Sequence, residues 1–225
     1  LNNPNLTCIQ KDVGYTPNSF DWRVDAIASY SDNCVSTPCT VNIPDANFKN
    51  YLVGNAAINT NGDTEIQCDE ATAFSGTIFA NSLSISDLTG IEAFTSLGGL
   101  HCNDNNIATI DISANTLLQV LQCNQNQISS ISAVNNPLLS SLHCHSNLLT
   151  ELDLNSNSDL RYIRCYNNQI TDLTLPQSVV LEELIASDNN LTAIDVTFNT
   201  ALELLEIEQN QLTSIDLSQN TALES

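Results

Sequence analysis

The sequence lacks several features that mark common classes of protein. It has no methionine, only 7 glycines in 225 residues, and only 5 lysines and arginines against 26 aspartates and glutamates. The formal charge of −21 repels phosphate backbones and anionic lipid, so nucleic-acid binding and docking on a membrane surface are disfavoured. No apolar run approaches the roughly 20 residues of a membrane-spanning helix, and we therefore expect no membrane insertion.

Asparagine is the residue that the chain has in abundance, with 30 copies. The turns must therefore depend on asparagine, whose side chain can hydrogen-bond to backbone groups, more than on glycine. Hydrophobic residues make up 42% of the chain and charged residues 14%, which indicates a folded protein rather than a disordered acidic one. Because methionine and a signal peptide are both absent, we expect a mature product or a segment of a longer protein.

A 21-residue repeat runs from residue 97 to the end of the sequence. Six full units, here called coils one to six, begin at Leu97, Leu118, Leu139, Leu160, Leu181 and Leu202, and a seventh begins at Leu223. Each unit opens with the pattern L-x-x-L/I-x-C/A/I-x-x-N, which alternates as a short strand does. A single coil cannot bury its apolar side chains, whereas stacked coils bury a continuous core.

Equivalent positions of the six coils carry the same kind of side chain. The apolar fourth position holds Leu100, Leu121, Leu142, Ile163, Leu184 and Leu205. The ninth position is always asparagine: Asn105, Asn126, Asn147, Asn168, Asn189 and Asn210. We expect the strands of successive coils to pair in parallel about 4.8 Å apart, with these asparagines satisfying backbone groups that no strand reaches.

This pattern resembles the leucine-rich repeat family over residues 97–225. The 21-residue form, with cysteine in the strand and I-D-L-S-Q-N at residues 215–220, is similar to repeats of large secreted proteins of Bacteroidetes-type bacteria. The resemblance implies a mostly β solenoid of the α/β repeat class, with a parallel β-sheet, and a secreted or cell-surface location. The second half of each unit also alternates, so we expect a second strand on the convex side of each coil.

The sequence before the repeats divides into two parts. Residues 1–40 resemble the end of a preceding repeat array followed by a linker, and residues 41–76 resemble the N-terminal cap of such arrays. The leucine-rich repeats, including an atypical first unit, then occupy residues 77–225. Pro44 suits the first turn of a helix over 43–53, in which Phe48, Tyr51 and Leu52 share a face. We therefore expect a small helical, EF-hand-like cap.

The loop at residues 59–70 within this cap is similar to an EF-hand calcium loop. Oxygen-bearing residues stand at positions 1, 3, 5, 7 and 12 of the loop: Asn59, Asn61, Asp63, Glu65 and Glu70. The loop departs from the pattern in having asparagine at position 1 and Thr64 in place of the usual glycine. Two interpretations stay open, namely a Ca²⁺ site and a helix-loop-helix kept for its shape.

The 8 cysteines fall into two groups. Cys102, Cys123, Cys144 and Cys165 occupy one column at 21-residue spacing, and we expect buried, unbridged and metal-free thiols there. Cys8, Cys34, Cys39 and Cys68 lie in the irregular first part of the chain, where disulfides would stabilise a small cap. They could pair as Cys8–Cys34 and Cys39–Cys68, although spacing alone does not fix the pairing.

The exposed positions of the concave strands change in chemistry from coil to coil. Five of the eight lysine, arginine and histidine residues map to these strands, two tyrosines lie among them, and coils five and six are acidic. The predicted binding site in coils three and four consists of His143, His145, Arg161, Tyr162, Arg164 and Tyr166. Because arginine binds carboxylate and sulfate groups, we expect an acidic or sulfated glycan or an acidic protein segment, bound more tightly as the pH falls toward about 6.

No catalytic motif stands out in the sequence, and we expect a non-enzymatic binding module that recognises a protein or a glycan. A spacer without a ligand and an accessory module of a larger surface hydrolase are the alternatives. The variation of the concave residues favours binding, since a spacer predicts uniform ones. The sequence stops at the opening of another coil, so we also expect the natural protein to continue in both directions and this C-terminal end to fray or self-associate.

Overall fold

The computed structural model describes residues 8–10, 29–31 and 39–223. The chain divides into two compact units, residues 1–38 and residues 39–225. In the first unit, strands β1 (Cys8–Gln10) and β2 (Ser29–Ser31) form a two-stranded parallel sheet.

The second unit begins with two helices, α1 (Ala46–Gly54) and α2 (Cys68–Ala73). Asp45 is the N-cap of α1 because its carboxylate accepts hydrogen bonds from the backbone N–H groups of Asn47 and Phe48. Its second oxygen accepts hydrogen bonds from the N–H groups of Ser86 and Asp87, so the same side chain joins the helix to the first turn of the solenoid. Phe48 and Leu52 are fully buried on the inner face of α1.

A seven-stranded parallel sheet forms the solenoid. Its strands are β3 (Thr77–Phe79), β4 (Gly99–His101), β5 (Val120–Gln122), β6 (Ser141–His143), β8 (Tyr162–Arg164), β10 (Glu183–Ile185) and β11 (Leu204–Glu206). A short 3-10 helix (Ile91–Ala93) lies between β3 and β4. From coil one onward, residues 21 positions apart pair in register, as Leu121 does with Leu142. This parallel-sheet solenoid confirms the predicted fold class.

The asparagine at the ninth position of each coil, the asparagine ladder, links that coil to the one before it. The Asn147 amide donates hydrogen bonds to the carbonyls of Cys123 and Cys144, and its Oδ1 accepts the N–H of Ile128. Asn126, Asn168, Asn189 and Asn210 repeat this arrangement in their own coils. Polar side chains thus satisfy the buried backbone where each strand ends.

The expectation of a second strand in every coil is wrong. Within residues 39–223, convex strands occur in only two coils, as β7 (Glu151–Asp153) and β9 (Asp172–Thr174), which pair with each other in parallel. On this side a second row of asparagines makes the link in every coil except coil four, where Ser178 stands in its place. The Asn136 amide, for example, donates to the carbonyls of Ile112 and Asn115 of the preceding coil. Side-chain hydrogen bonds therefore replace a backbone ladder on the convex side.

Coil six is less buried than the coils before it. Leu205, Ile207 and Leu212 are only partly buried, whereas their equivalents in coil five, Leu184, Ala186 and Leu191, are fully buried. Leu217 is 40% exposed. The apolar contacts that hold a coil in place are therefore fewest here.

Amide hydrogen exchange should be fastest over residues 202–223 and slowest in coils two to four. Opening of coil six exposes less buried apolar surface than opening of a central coil, since Leu205, Ile207 and Leu212 are only partly buried. Exchange followed by mass spectrometry of peptides from each coil measures this gradient. Equal protection of coils three and six in a monomeric sample would contradict it.

Candidate functional site

The concave face of the sheet presents the side chains that alternate with the buried core residues. In β8, Ile163 points into the core, and Tyr162 and Arg164 lie on the opposite face of the strand. His143 of β6 is the direct neighbour of Arg164. The structure therefore brings together the candidate residues of coils three and four on one surface.

His145 and Tyr166 form a stacked pair of rings just beyond these two strands. Their ring centroids are 4.2 Å apart and their planes differ by 8°. Both side chains are half-buried, so the pair offers a flat surface that is held in place before any ligand arrives. Stacked rings of this kind are rigid, amphipathic contact surfaces.

The imidazoles of this face resist protonation. Burial is the main cause that lowers the pKa of His145 to about 4, and the nearby His143 and Arg164 lower it further. Burial also lowers the pKa of His143, and Arg164 adds to the effect. His145 is therefore neutral near pH 6, which does not fit the expectation that it becomes charged there, and the lowered pKa of His143 works against that expectation too.

His145 should titrate with a midpoint near pH 4 in the folded protein, against 6.5 for an ordinary histidine. Because the unfolded chain then binds this proton more tightly, His145 makes the protein less stable as the pH falls from 6.5 toward 4. NMR titration of the imidazole signals measures the midpoint. Tyr166→Ala, which removes the stacked ring, should raise the pKa, and a midpoint near 6.5 in the parent protein would contradict the prediction.

The two arginines of the site are already paired with glutamates of the next coil. Arg161 forms an ion pair with Glu182, which also accepts a hydrogen bond of 2.8 Å from the Tyr162 hydroxyl. Arg164 donates through both Nε and Nη2 to the carboxylate of Glu183. The basic side chains of coil four and the acidic side chains of coil five are thus joined in ion pairs, which neutralise the positive charge of the predicted site.

Beyond these pairs the concave face is acidic and partly apolar. Leu204 of β11 is 40% exposed and Ile185 of β10 is half-buried. The carboxylates of Glu203, Glu206 and Glu208 form no ion pair within residues 39–223. An incoming molecule therefore meets carboxylates without cationic partners in coil six.

The oxygen atoms of the loop at residues 59–70 are engaged in hydrogen bonds within the cap. The Glu70 carboxylate accepts from the backbone N–H groups of Thr60, Asn61 and Gln67. Burial alone would raise the pKa of Glu70, and these hydrogen bonds outweigh it and hold the pKa below its usual value.

The remaining oxygens of the loop have partners of the same kind. Asn59, Asn61 and Asp63 each accept a backbone N–H of the loop through Oδ1, and Glu65 pairs with Lys49. Among residues 39–223 the structure contains no group of three or more histidine, cysteine, aspartate or glutamate side chains arranged to hold a metal ion.

Calcium binding at this loop stays a prediction of the sequence, and thermal unfolding tests it. Bound calcium should raise the melting temperature by mass action, and Glu70→Gln should remove that rise. Each variant is compared with and without calcium, so that the effect of the substitution itself on stability cancels. An unchanged melting temperature at millimolar calcium, against an EDTA control, would leave the loop with a structural role only.

The cysteine column runs through the core. Cys102, Cys123, Cys144 and Cys165 are free thiols with no exposed area. Burial raises the pKa of Cys102 and of Cys165 to about 12, so these thiols stay protonated and unreactive at neutral pH.

The remaining four cysteines lie before the repeats, in the first part of the chain. Cys39 and Cys68 form a disulfide that ties the start of the second unit to the first residue of α2. The other predicted pair, Cys8–Cys34, stays a prediction, because Cys34 lies outside the described residues.

Comparison with solved structures supports the leucine-rich repeat fold. The functional domain of InlJ from Listeria monocytogenes, described as including a cysteine ladder, is 26% identical, with a TM-score of 0.50 over 83% of this chain and 52% of its own. The leucine-rich repeat domain of APL1B is 25% identical, with a TM-score of 0.55 over 65% of this chain and 44% of its own. The chain thus spans about half the length of each.

A second Listeria monocytogenes protein, internalin C2, shares the fold alone. It is 18% identical, with a TM-score of 0.58 over 85% of this chain and 97% of its own. No protein-family model matches the chain, and no curated protein matches it. The fold is that of leucine-rich repeat proteins, and the two Listeria proteins are bacterial examples of it. This fold agrees with a protein-interaction or adhesion module. Within the described residues no helix is long and apolar enough to cross a bilayer.

Proposed function

We propose that this protein is a non-enzymatic binding module that recognises a partner protein through its concave sheet, on the bacterial cell surface or after secretion. The observation that carries the proposal is the stacked His145–Tyr166 pair on the exposed concave face. A strand face that had only to be soluble would not require two rings stacked 4.2 Å apart. Contacts that are already ordered lose little entropy on binding, which favours affinity.

The residue types on this face also favour a protein partner. Tyrosine and arginine are enriched among the residues that contribute most to binding energy at protein interfaces. Tyr162 is 39% exposed, and its hydroxyl is held by Glu182. An acidic or sulfated ligand, as expected from the sequence, would have to displace Glu182 and Glu183 from the arginines before it could bind them. The structure therefore gives less support to an anionic glycan than to a protein.

A crosslinking experiment followed by affinity measurement tests the proposal. A photoreactive phenylalanine at position 166 should capture the partner from protein extracts of the cells and medium in the environment of the source organism. The same photoreactive group at position 198 should not capture it. Phe198 is a matched control because it is 53% exposed and lies outside the concave strands. The captured protein is then purified for the second step.

Tyr166→Ala should weaken binding of the purified partner by about tenfold or more, as is usual for a central aromatic contact. Phe198→Ala should leave the affinity unchanged. Equal affinity of the parent and of Tyr166→Ala for every captured protein would contradict the proposal and favour the spacer alternative.

A further inference from the structure

Every lysine and arginine in residues 39–223 is paired with a glutamate. The three pairs are Lys49–Glu65, Arg161–Glu182 and Arg164–Glu183. Two of them lie side by side at the concave strands β8 and β10, so the positive charge of this face is already neutralised. The carboxylates that follow in coil six have no such partner within the same residues.

Apolar and charged side chains alternate across the last three concave strands. Tyr162, Glu183 and Leu204 are register partners on β8, β10 and β11. Arg164, Ile185 and Glu206 form the next row. Neighbouring strands are about 4.8 Å apart, so each exposed apolar group lies directly beside a carboxylate.

The apolar members of these rows and the three carboxylates of coil six form one surface, here called the acidic–apolar patch. It consists of Tyr162, Ile185, Leu204, Glu203, Glu206 and Glu208. Tyr162 and Leu204 are each exposed by about two fifths, which leaves apolar area for a partner to cover. The patch thus combines apolar contact area with carboxylates that can form new ion pairs.

We infer that the acidic–apolar patch binds a protein segment that carries lysine or arginine next to apolar side chains. The inference rests on the proposed function and names the chemistry of the partner. An acidic segment would meet Glu203, Glu206 and Glu208 with like charges, and juxtaposed like charges suppress binding of a wrong partner. A cationic segment would pair with these carboxylates while its apolar residues cover Tyr162 and Leu204.

Electrostatics gives this contact two further properties. The overall charge of −21 attracts a cationic segment at long range, so association should be fast at low ionic strength. Salt screens exposed charges, so affinity should fall as the ionic strength rises.

The first experiment uses two synthetic peptides as probes, one of alternating lysine and leucine and one of alternating glutamate and leucine. Heteronuclear NMR of the labelled protein should show shifts at Ile185, Leu204 and Glu206 with the lysine peptide and none with the glutamate peptide. Lack of binding by the lysine peptide at millimolar concentration, or equal binding of both peptides, would overturn the inference.

The second experiment separates this patch from the general acidity of the chain. Glu206→Gln with Glu208→Gln should weaken binding of the lysine peptide by about 2- to 10-fold, as expected for two exposed charge contacts. Glu151→Gln with Asp153→Asn removes the same charge from the convex strand β7 and should have little effect. Equal weakening by both double variants would show attraction by bulk charge alone and overturn the inference.

The proposed function has its own test, so the two can fail separately. A captured partner that loses affinity with Tyr166→Ala but contacts the concave face without lysine or arginine would uphold the proposed function and refute this inference.

Discussion

Replacing Asn147 with alanine should lower the free energy of unfolding by roughly 2–6 kcal/mol, because it leaves one buried N–H without a partner, at about 1–3 kcal/mol, and removes two further hydrogen bonds, at about 0.5–1.5 kcal/mol each. The N–H is that of Ile128, and the two bonds are those to the carbonyls of Cys123 and Cys144. The two carbonyls keep a second donor each, from the ladder asparagines of the coils on either side. Asn147 is 7% exposed, so water has little access to replace the lost hydrogen bonds. Urea denaturation followed by circular dichroism measures the change.

Two further asparagines make this experiment a graded series. The Asn136 amide nitrogen serves two carbonyls, but its Oδ1 is buried without a partner within the described residues. Asn136→Ala should therefore cost less than Asn147→Ala, since it also removes an unsatisfied oxygen. Asn190 is exposed, and Asn190→Ala should be close to neutral. Similar losses for Asn147→Ala and Asn190→Ala would show that the asparagine ladder is not a main source of stability.

The solenoid was predictable because the sequence repeat determines both the strand register and the packing of the core. A period of 21 with apolar positions 1, 4 and 6 places the same side chain on the same side of each coil, and this fixes the register of Leu121 with Leu142. The ladder asparagines were predictable for the same reason, since a buried amide must find backbone partners. The coil is the unit that the sequence repeats, and it is also the unit that packs.

The backbone of the turns was less predictable. The residue before each ladder asparagine adopts a positive φ of 52–57°, a conformation that favours glycine. The residues found there are Asp104, Gln125, Ser146, Asn167, Asp188 and Gln209. Three of the six are aspartate or asparagine, which tolerate this conformation, whereas glutamine and serine at the other three give no such signal. Stacking of neighbouring coils is therefore needed to explain why all six adopt it.

The candidate site was predictable in position but not in charge. Periodicity placed Arg161 and Glu182, which are 21 residues apart, at equivalent positions of adjacent coils. The repeat pattern does not show that these two side chains form an ion pair across the coils. The depressed pKa of His145 depends on half-burial under the Tyr166 ring, which alternation along a strand does not reveal. Electrostatic properties arise from contacts between coils, whereas sequence patterns describe one coil at a time.

Replacing both Cys39 and Cys68 with serine should lower the free energy of unfolding of the cap by roughly 3–4 kcal/mol, the entropy that a crosslink removes from an unfolded loop of this length. The disulfide joins residues 29 positions apart and closes a loop that contains α1 and residues 59–67. Apart from this bond, an antiparallel bridge between Thr40 and Gln67 and the hydrogen bond from Val41 N–H to the Ile66 carbonyl hold the same junction.

The loss of stability should be greatest near the cap, because each coil of a solenoid contacts only its immediate neighbours. Hydrogen exchange in the double variant should accelerate in α1, α2 and β3, and stay unchanged in coils three and four. Cys144→Ser is the matched control, since it also replaces sulfur with oxygen but in the buried cysteine column, where exchange should accelerate around coil three instead. If the Cys39/Cys68 variant keeps parental exchange in α1, then Asp45 and the core around Phe48 hold the cap without the disulfide.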